Sequence, residues 1–221
     1  MVIDKNHQEI RPCLFVDSKI MENLQNRSLI SRNPQVSRDH ENLVYYLPGR
    51  GGAQHTGLGK GLGMRRCMVW GREIRDEFAR LDFDQQVELI AGDIERSLWH
   101  ENDRIIANSY GGYLLLNALM RLPPYIGRIL LLSPVIGAFS AESQKLTFVP
   151  PRAGAIQRQI ELGAYPAPLN CHAHVGSEDW QSDPVAITRF GEQLAIPVTI
   201  VNGRGHMLGE DYVGGVLDEW L

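Results

Sequence analysis

From residue 43 onward, short apolar runs alternate with longer stretches in which apolar residues recur every three or four positions. The short runs are rich in Val, Ile, Leu and Tyr and are bounded by Gly, Pro or polar residues, a pattern that predicts buried β-strands. The predicted strands cover residues 43–47, 67–71, 104–108, 128–133, 172–175 and 197–201.

Helical periodicity is clearest over residues 82–98, where apolar side chains recur on one face and Asp84 is a suitable N-cap. Further helices are predicted at residues 55–66, 111–122, 183–195 and 211–221. Because strands and helices alternate, the predicted fold class is α/β, with a mostly parallel central sheet flanked by helices on both faces. Such a sheet binds its ligands at the C-terminal ends of the strands.

The first 42 residues do not show this alternation. Residues 13–16 are interpreted as an edge strand, and residues 21–40 are polar, contain Pro34 and are interpreted as a loop or arm. No internal repeat or low-complexity tract divides the chain. Residues 1–221 are therefore interpreted as a single domain, with residues 1–42 as an N-terminal arm that carries the edge strand.

Composition narrows the class of protein. The net charge is −4 and the 22 Lys and Arg residues are scattered, which argues against a nucleic-acid partner. No apolar run approaches the roughly 20 residues that span a bilayer, and the first ten residues lack the apolar core of a secretory signal. Three widely separated cysteines favour a reducing compartment. We expect a cytoplasmic protein with no nucleic-acid or membrane partner, and the oligomeric state is left open.

One serine lies at the junction between a predicted strand and a predicted helix. Ser109 follows RIIAN and precedes YGGYLLL, with Ala107 two positions before it and Gly111 two positions after it. A nucleophilic serine on a sharp strand-to-helix turn requires small residues at these two positions, because larger side chains would collide there. Ser109 is thus either a nucleophile or a polar residue in a structural glycine turn, and the local pattern favours neither.

Two further stretches place an acid and a histidine at the same edge of the sheet. Asp179 follows a predicted strand in GSEDWQSDP, and His206 follows the last predicted strand in GRGHMLG. With LPGRGG and ANSYGG, these motifs occur in the order that resembles the α/β-hydrolase family, over roughly residues 43–221. The resemblance implies that Ser109 is the nucleophile, His206 its general base and Asp179 the acid that orients the imidazole.

The resemblance also implies an oxyanion hole. The Tyr110 backbone N–H is one expected donor, and the Arg50 N–H in PGRGG is the second, with the Gly51 N–H as its alternative. Pro48 stands where the family commonly has a histidine, which is a departure from its pattern.

Other polar residues admit different interpretations. Asp183 is the alternative acid, although Pro184 after it is typical of a helix that begins there. His206 could instead be an ordinary loop histidine. His172 and His174 share one face of a predicted strand but have no third ligand nearby, so no metal site is predicted. No cofactor is implied.

The substrate is inferred from what surrounds these motifs. Residues 137–170 are the one stretch available for a small lid or pocket wall, and they are too few for a large cap domain. We therefore expect a serine hydrolase, esterase-like, that cleaves a small ester or related small-molecule acyl compound. The alternatives are a thioesterase, lactonase or peptidase on the same triad, and a non-catalytic binding or interaction protein that kept the fold.

Overall fold

A computed structural model describes residues 43–141 and 146–221 of the chain. The interpretation of residues 1–42 as an arm with an edge strand at residues 13–16 lies outside the described residues.

The described part of the chain contains a central sheet of six strands, all parallel, and a separate two-stranded antiparallel hairpin. The strands are β1 (Leu43–Leu47), β2 (Met68–Trp70), β3 (Arg104–Asn108), β4 (Arg128–Leu132), β5 (Phe139–Ala141), β6 (Leu146–Phe148), β7 (Asn170–Gly176) and β8 (Val198–Val201). The order across the sheet is β2-β1-β3-β4-β7-β8, and β5 pairs with β6 in the hairpin. The six predicted strands thus form the central sheet, and the mostly parallel arrangement is confirmed.

Helices connect the parallel strands, as the sequence pattern predicts. They are α1 (Gly57–Met64), α2 (Asp76–Ala79), α3 (Phe83–Ser97), α4 (Tyr110–Leu119), α5 (Ala155–Glu161), α6 (Pro184–Leu194) and α7 (Glu210–Trp220).

The two faces of the sheet carry separate apolar clusters. Alternate residues of one strand point to opposite faces, so Tyr45 and Val44 of β1 belong to different clusters. The larger cluster packs the sheet against α3, α4 and α6, and the smaller one packs it against α1 and α7. Helices therefore cover both faces, which is why the central strands read as continuous apolar runs.

Two local predictions are wrong in detail. Asp84 is not the N-cap of α3, because the N-cap is Asp82, two residues earlier. The Asp82 side chain accepts from the Gln85 backbone N–H, and the Gln85 side chain accepts from the Asp82 N–H. This reciprocal capping box fixes the helix start. Helix α4 ends at Leu119, three residues before the predicted end at residue 122.

None of the helices in residues 43–141 and 146–221 is both long enough and apolar enough to cross a bilayer.

Candidate active site

Ser109 lies on the sharp turn between β3 and α4. Its backbone has φ 53° and ψ −124°, a conformation that costs free energy for any residue with a side chain. The turn is held by neighbouring backbone: the Ser109 N–H donates to the Leu132 carbonyl (3.0 Å), and the Val135 N–H donates to the Ser109 carbonyl (3.1 Å). The surrounding strands therefore hold the Ser109 side chain at the C-terminal edge of the sheet.

Close backbone packing explains the small residues around Ser109. A Cβ at Gly111 would lie 2.3 Å from the Leu47 carbonyl oxygen and 2.4 Å from that of Pro48. A Cβ at Gly49 would lie 3.2 Å from the Ser109 Cβ. Helix α4 can thus begin against the end of β1 because residue 111 has no side chain.

The loops after β7 and β8 are joined to each other. The Glu178 N–H donates to the Arg204 carbonyl (2.9 Å), and the Gly203 N–H donates to the Ser177 hydroxyl (2.9 Å). A Cβ at Gly176 would lie only 2.1 Å from the Arg204 carbonyl oxygen. These contacts bring the segment that carries Asp179 next to the segment that carries His206.

The three candidate side chains form one hydrogen-bonded chain. The Ser109 Oγ lies 2.8 Å from the His206 Nε2, and the His206 Nδ1 lies 3.0 Å from both carboxylate oxygens of Asp179. The Asp179 side chain is fully buried, whereas the His206 side chain is 15% exposed. The structure thus brings together residues that are 97 and 27 positions apart in sequence.

The Asp179 carboxylate is stabilised in its ionised form. Burial acts to raise its pKa, but His206 and the backbone N–H groups of Ser182 and Gln181 donate hydrogen bonds that lower it. Both N–H groups lie 2.9 Å from the Asp179 Oδ1. The net effect is a pKa below the ordinary value for aspartate, so the carboxylate remains a hydrogen-bond acceptor at neutral pH.

The competing polar residues have other partners. The Asp183 side chain accepts from the Val185 N–H (3.0 Å) and caps α6, as Pro184 at the first helical position indicated. The His172 and His174 rings stack 4.4 Å apart, and their nitrogens lie within hydrogen-bond distance of Thr199 and Tyr212. Among the described residues, no group of three or more His, Cys, Asp or Glu side chains is arranged to hold a metal ion.

The loop after β1 lies beside Ser109 and distinguishes the two candidate oxyanion donors. The Gly51 N–H donates to the Ile74 carbonyl (2.8 Å), and the Gly52 N–H donates to the Gly49 carbonyl (2.9 Å). The Tyr110 N–H is at the first position of α4, where an N–H has no partner within its own helix. Gly51 is therefore already engaged, which favours the Arg50 N–H over it as the second donor.

Hydrogen bonds that the sequence does not predict hold the loop after β1 in place. The Glu73 carboxylate accepts from the Gln54 N–H (2.8 Å) and from the Arg75 guanidinium (2.6 Å). The Gln54 side chain donates to the Tyr46 carbonyl (2.7 Å) at the end of β1. These partners are 8 and 19 residues apart and belong to no motif, so the sequence carried no signal for them.

Known structures resemble this chain in fold. No protein-family model and no curated protein matches the sequence significantly. A monoacylglycerol lipase from Paleococcus ferrophilus is 14% identical, with a TM-score of 0.59 over 80% of this chain and 93% of that chain. Esterase PE8 is 17% identical (TM-score 0.55; 82% and 93% covered), and carboxylesterase CesB from Bacillus subtilis is 15% identical (TM-score 0.55; 80% and 82% covered). The chain has the α/β-hydrolase fold, as the resemblance of its sequence motifs implies.

Proposed function

We propose that this protein is a serine hydrolase that cleaves a small ester through an acyl-Ser109 intermediate. The observation that carries the proposal is the continuous hydrogen-bonded chain from Ser109 through His206 to the buried carboxylate of Asp179. A serine hydroxyl is a weak nucleophile until an adjacent base accepts its proton, and this chain provides that base and a group to orient it.

In the first half of the reaction, the Ser109 Oγ attacks the ester carbonyl carbon while its proton passes to the His206 Nε2. Asp179 accepts the hydrogen bond from the His206 Nδ1–H, which fixes the tautomer and stabilises the imidazolium. The N–H groups of Tyr110 and Arg50 donate to the oxyanion that develops on the carbonyl oxygen. The tetrahedral intermediate collapses when His206 returns the proton to the leaving alcohol, and Ser109 remains acylated.

In the second half, His206 takes a proton from water and the resulting hydroxide attacks the acyl carbon. Collapse of the second tetrahedral intermediate breaks the bond to the Ser109 Oγ, which regains a proton from His206. The products are a carboxylic acid and the free enzyme.

Two observations support an ester as the substrate and a modest size for it. Proteins that share the fold at low identity carry the names esterase, carboxylesterase and monoacylglycerol lipase. Within residues 137–170, the described part forms only the β5–β6 hairpin and the short helix α5. A wall of this size encloses a small acyl group more readily than a long lipid chain.

A serine-reactive fluorophosphonate tests the proposal. We expect it to modify Ser109, and Ser109→Ala to abolish labelling and to lower turnover by about 10⁴-fold or more. Ser133→Ala is the matched control, because Ser133 directly follows the neighbouring strand β4 and has a similar positive φ of 44°. The Ser133→Ala variant should still be labelled at Ser109.

Labelling that persists in Ser109→Ala would remove Ser109 as the nucleophile. An unlabelled parent protein would support the alternative of a non-catalytic binding protein. With the unmodified parent protein, a series of para-nitrophenyl esters should give the highest kcat/KM at short acyl chains. A maximum at long chains would contradict a small substrate.

A reducing, cytoplasmic location is also part of this proposal. Cys67 and Cys171 are both free, buried thiols, and such cysteines are typical of proteins that do not depend on disulfides.

A further inference from the structure

Four aromatic side chains form a continuous cluster next to Ser109. Tyr110 follows the nucleophile directly, and its ring centroid lies 6.1 Å from that of Phe148 on the β5–β6 hairpin. Phe148 packs against Phe139 at 5.0 Å, and Phe139 packs edge-on against Trp180 at 5.7 Å. Since Trp180 is adjacent to Asp179, the cluster extends from one side of the candidate site to the other.

The side chain of Arg50 lies against this cluster. Its guanidinium carbon is 5.1 Å from the ring centroid of Tyr110 and 5.6 Å from that of Phe148. A cation–π contact requires the charge to lie near the ring face and needs no conventional hydrogen-bond acceptor, so the N–H groups of the guanidinium can still donate to another group. The rings therefore orient Arg50 without satisfying its hydrogen-bond donors.

Arg50 has no acidic partner among residues 43–141 and 146–221, and among the described arginines that share this property it is the one whose guanidinium lies over the ring of Tyr110, next to Ser109. Arg152 lies 2.6 Å from the Asp84 carboxylate, and Arg204 lies 2.7 Å from that of Asp211. Arg50 is exposed, and within the described parts of the chain its side chain contacts the rings of Tyr110 and Phe148.

We propose that Arg50 is a specificity-determining residue, and that the preferred substrate is an ester that carries an anionic group. This inference rests on the proposed hydrolase function, because it concerns the same site. A carboxylate is the simplest such group, since its two oxygens match two parallel N–H donors of a guanidinium. The neighbouring rings exclude water from one side of the ion pair, which strengthens it relative to a fully solvated pair.

The test compares esters that differ only in charge. On the acyl side, the para-nitrophenyl monoester of adipic acid is paired with para-nitrophenyl hexanoate. On the alcohol side, a hexanoate ester of para-hydroxybenzoic acid is paired with that of para-cresol. For each pair, the measured quantity is the ratio of kcat/KM for the anionic ester to kcat/KM for the neutral one, after subtraction of the uncatalysed rate.

In Arg50→Gln, we expect the ratio to fall about tenfold or more in at least one of the two pairs. Arg50→Lys should keep part of the preference for the anionic ester, because lysine keeps the charge but not the planar fork. Any disturbance of the backbone N–H at residue 50 acts on both esters and cancels in the ratio. Arg152→Gln is the matched control, because the charge of Arg152 is already neutralised by Asp84. Its ratios should equal those of the parent. Added salt should reduce the parent's preference for the anionic ester.

The inference is overturned if neither ratio changes in Arg50→Gln. Equal slowing of both members of each pair is one such outcome, and it would assign Arg50 the structural role of holding the hairpin. Failure of the proposed function looks different. In that case the parent protein hydrolyses none of the four esters and is not labelled by the fluorophosphonate.

Discussion

At the scale of single residues, Asp179 and Asp183 are four positions apart and have different surroundings. Asp179 is buried against His206, and Asp183 caps a helix near the surface. Asp179→Asn removes the negative charge that favours the imidazolium and permits the wrong tautomer of His206. We expect turnover to fall about 10⁴-fold, as the corresponding change does in another triad. The measurement is kcat on a short-chain ester at matched folding, judged by circular dichroism and melting temperature.

Asp183→Asn is the control for that experiment, because asparagine caps a helix about as well as aspartate. Its turnover should stay close to that of the parent. If Asp183→Asn is crippled and Asp179→Asn is active, the role of the orienting acid belongs to Asp183. If both variants are active, a triad with either acid is excluded.

Single residues also show what the sequence predicts well and what it does not. Ser109, Asp179 and His206 could be selected because each lies within five residues after an apolar run, and parallel strands place such positions at one edge. The start of α3 could not be assigned in the same way. Asp82 and Asp84 both suit an N-cap, and the choice depends on which one Gln85 reaches back to bond.

At the scale of elements, the junction of β3 and α4 depends on the absence of a side chain at residue 111. Gly111→Ala would place a Cβ within 2.4 Å of two carbonyl oxygens at the end of β1, so helix or strand must move. We expect a loss of stability of about 1–3 kcal/mol, typical of overpacking, together with slower labelling of Ser109. Chemical denaturation and labelling rate measure the two effects.

Gly215→Ala separates this steric effect from the general consequence of replacing a helical glycine. Gly215 is an exposed residue of α7, and a Cβ there meets nothing within 4 Å. This variant should be more stable than the parent by roughly 0.5–1 kcal/mol, because alanine favours the helix. A stabilising Gly111→Ala would show that the junction tolerates a side chain.

The central strands could be predicted from the sequence, whereas the shortest elements could not, and the reason is physical. Strands buried on both faces are nearly continuous apolar runs, so the six strands of the central sheet could be located from sequence. The β5–β6 hairpin was missed because its strands have three residues each and lie mostly at the surface, where no apolar period develops. Helix α2, of four residues, is equally too short for a period to be visible.

At the scale of the whole molecule, His174 links folding to pH. Burial, with a smaller contribution from the charge of His172, lowers the pKa of His174 to about 4. In the unfolded chain the pKa of a histidine is about 6.5. Between about pH 6.5 and about pH 4, residue 174 is therefore protonated in the unfolded state and neutral in the folded state. The free energy of unfolding should therefore decrease as pH falls from about 6.5 towards 4, and this contribution should change no further below that range.

His174→Asn tests this dependence, because asparagine is polar but does not titrate. We expect the melting temperature of the variant to fall less than that of the parent between pH 7 and pH 5. The groups that face His174 include His172 and the hydroxyl of Tyr212, which lies 2.8 Å from its Nδ1. An identical decrease in both proteins would assign the acid sensitivity to other groups.

Among the described residues, strand β8, which precedes the loop with His206, is at the edge of the sheet and pairs only with β7. It has four residues, and Ile200 within it is 43% exposed. Edges of a fold open at a lower free-energy cost than its centre. A brief detachment of β8 would carry the imidazole away from Ser109 while β1, β3 and β4 stayed paired. The loss of activity over time would then depend on the equilibrium for local opening of β8, and the protein could lose activity without global unfolding.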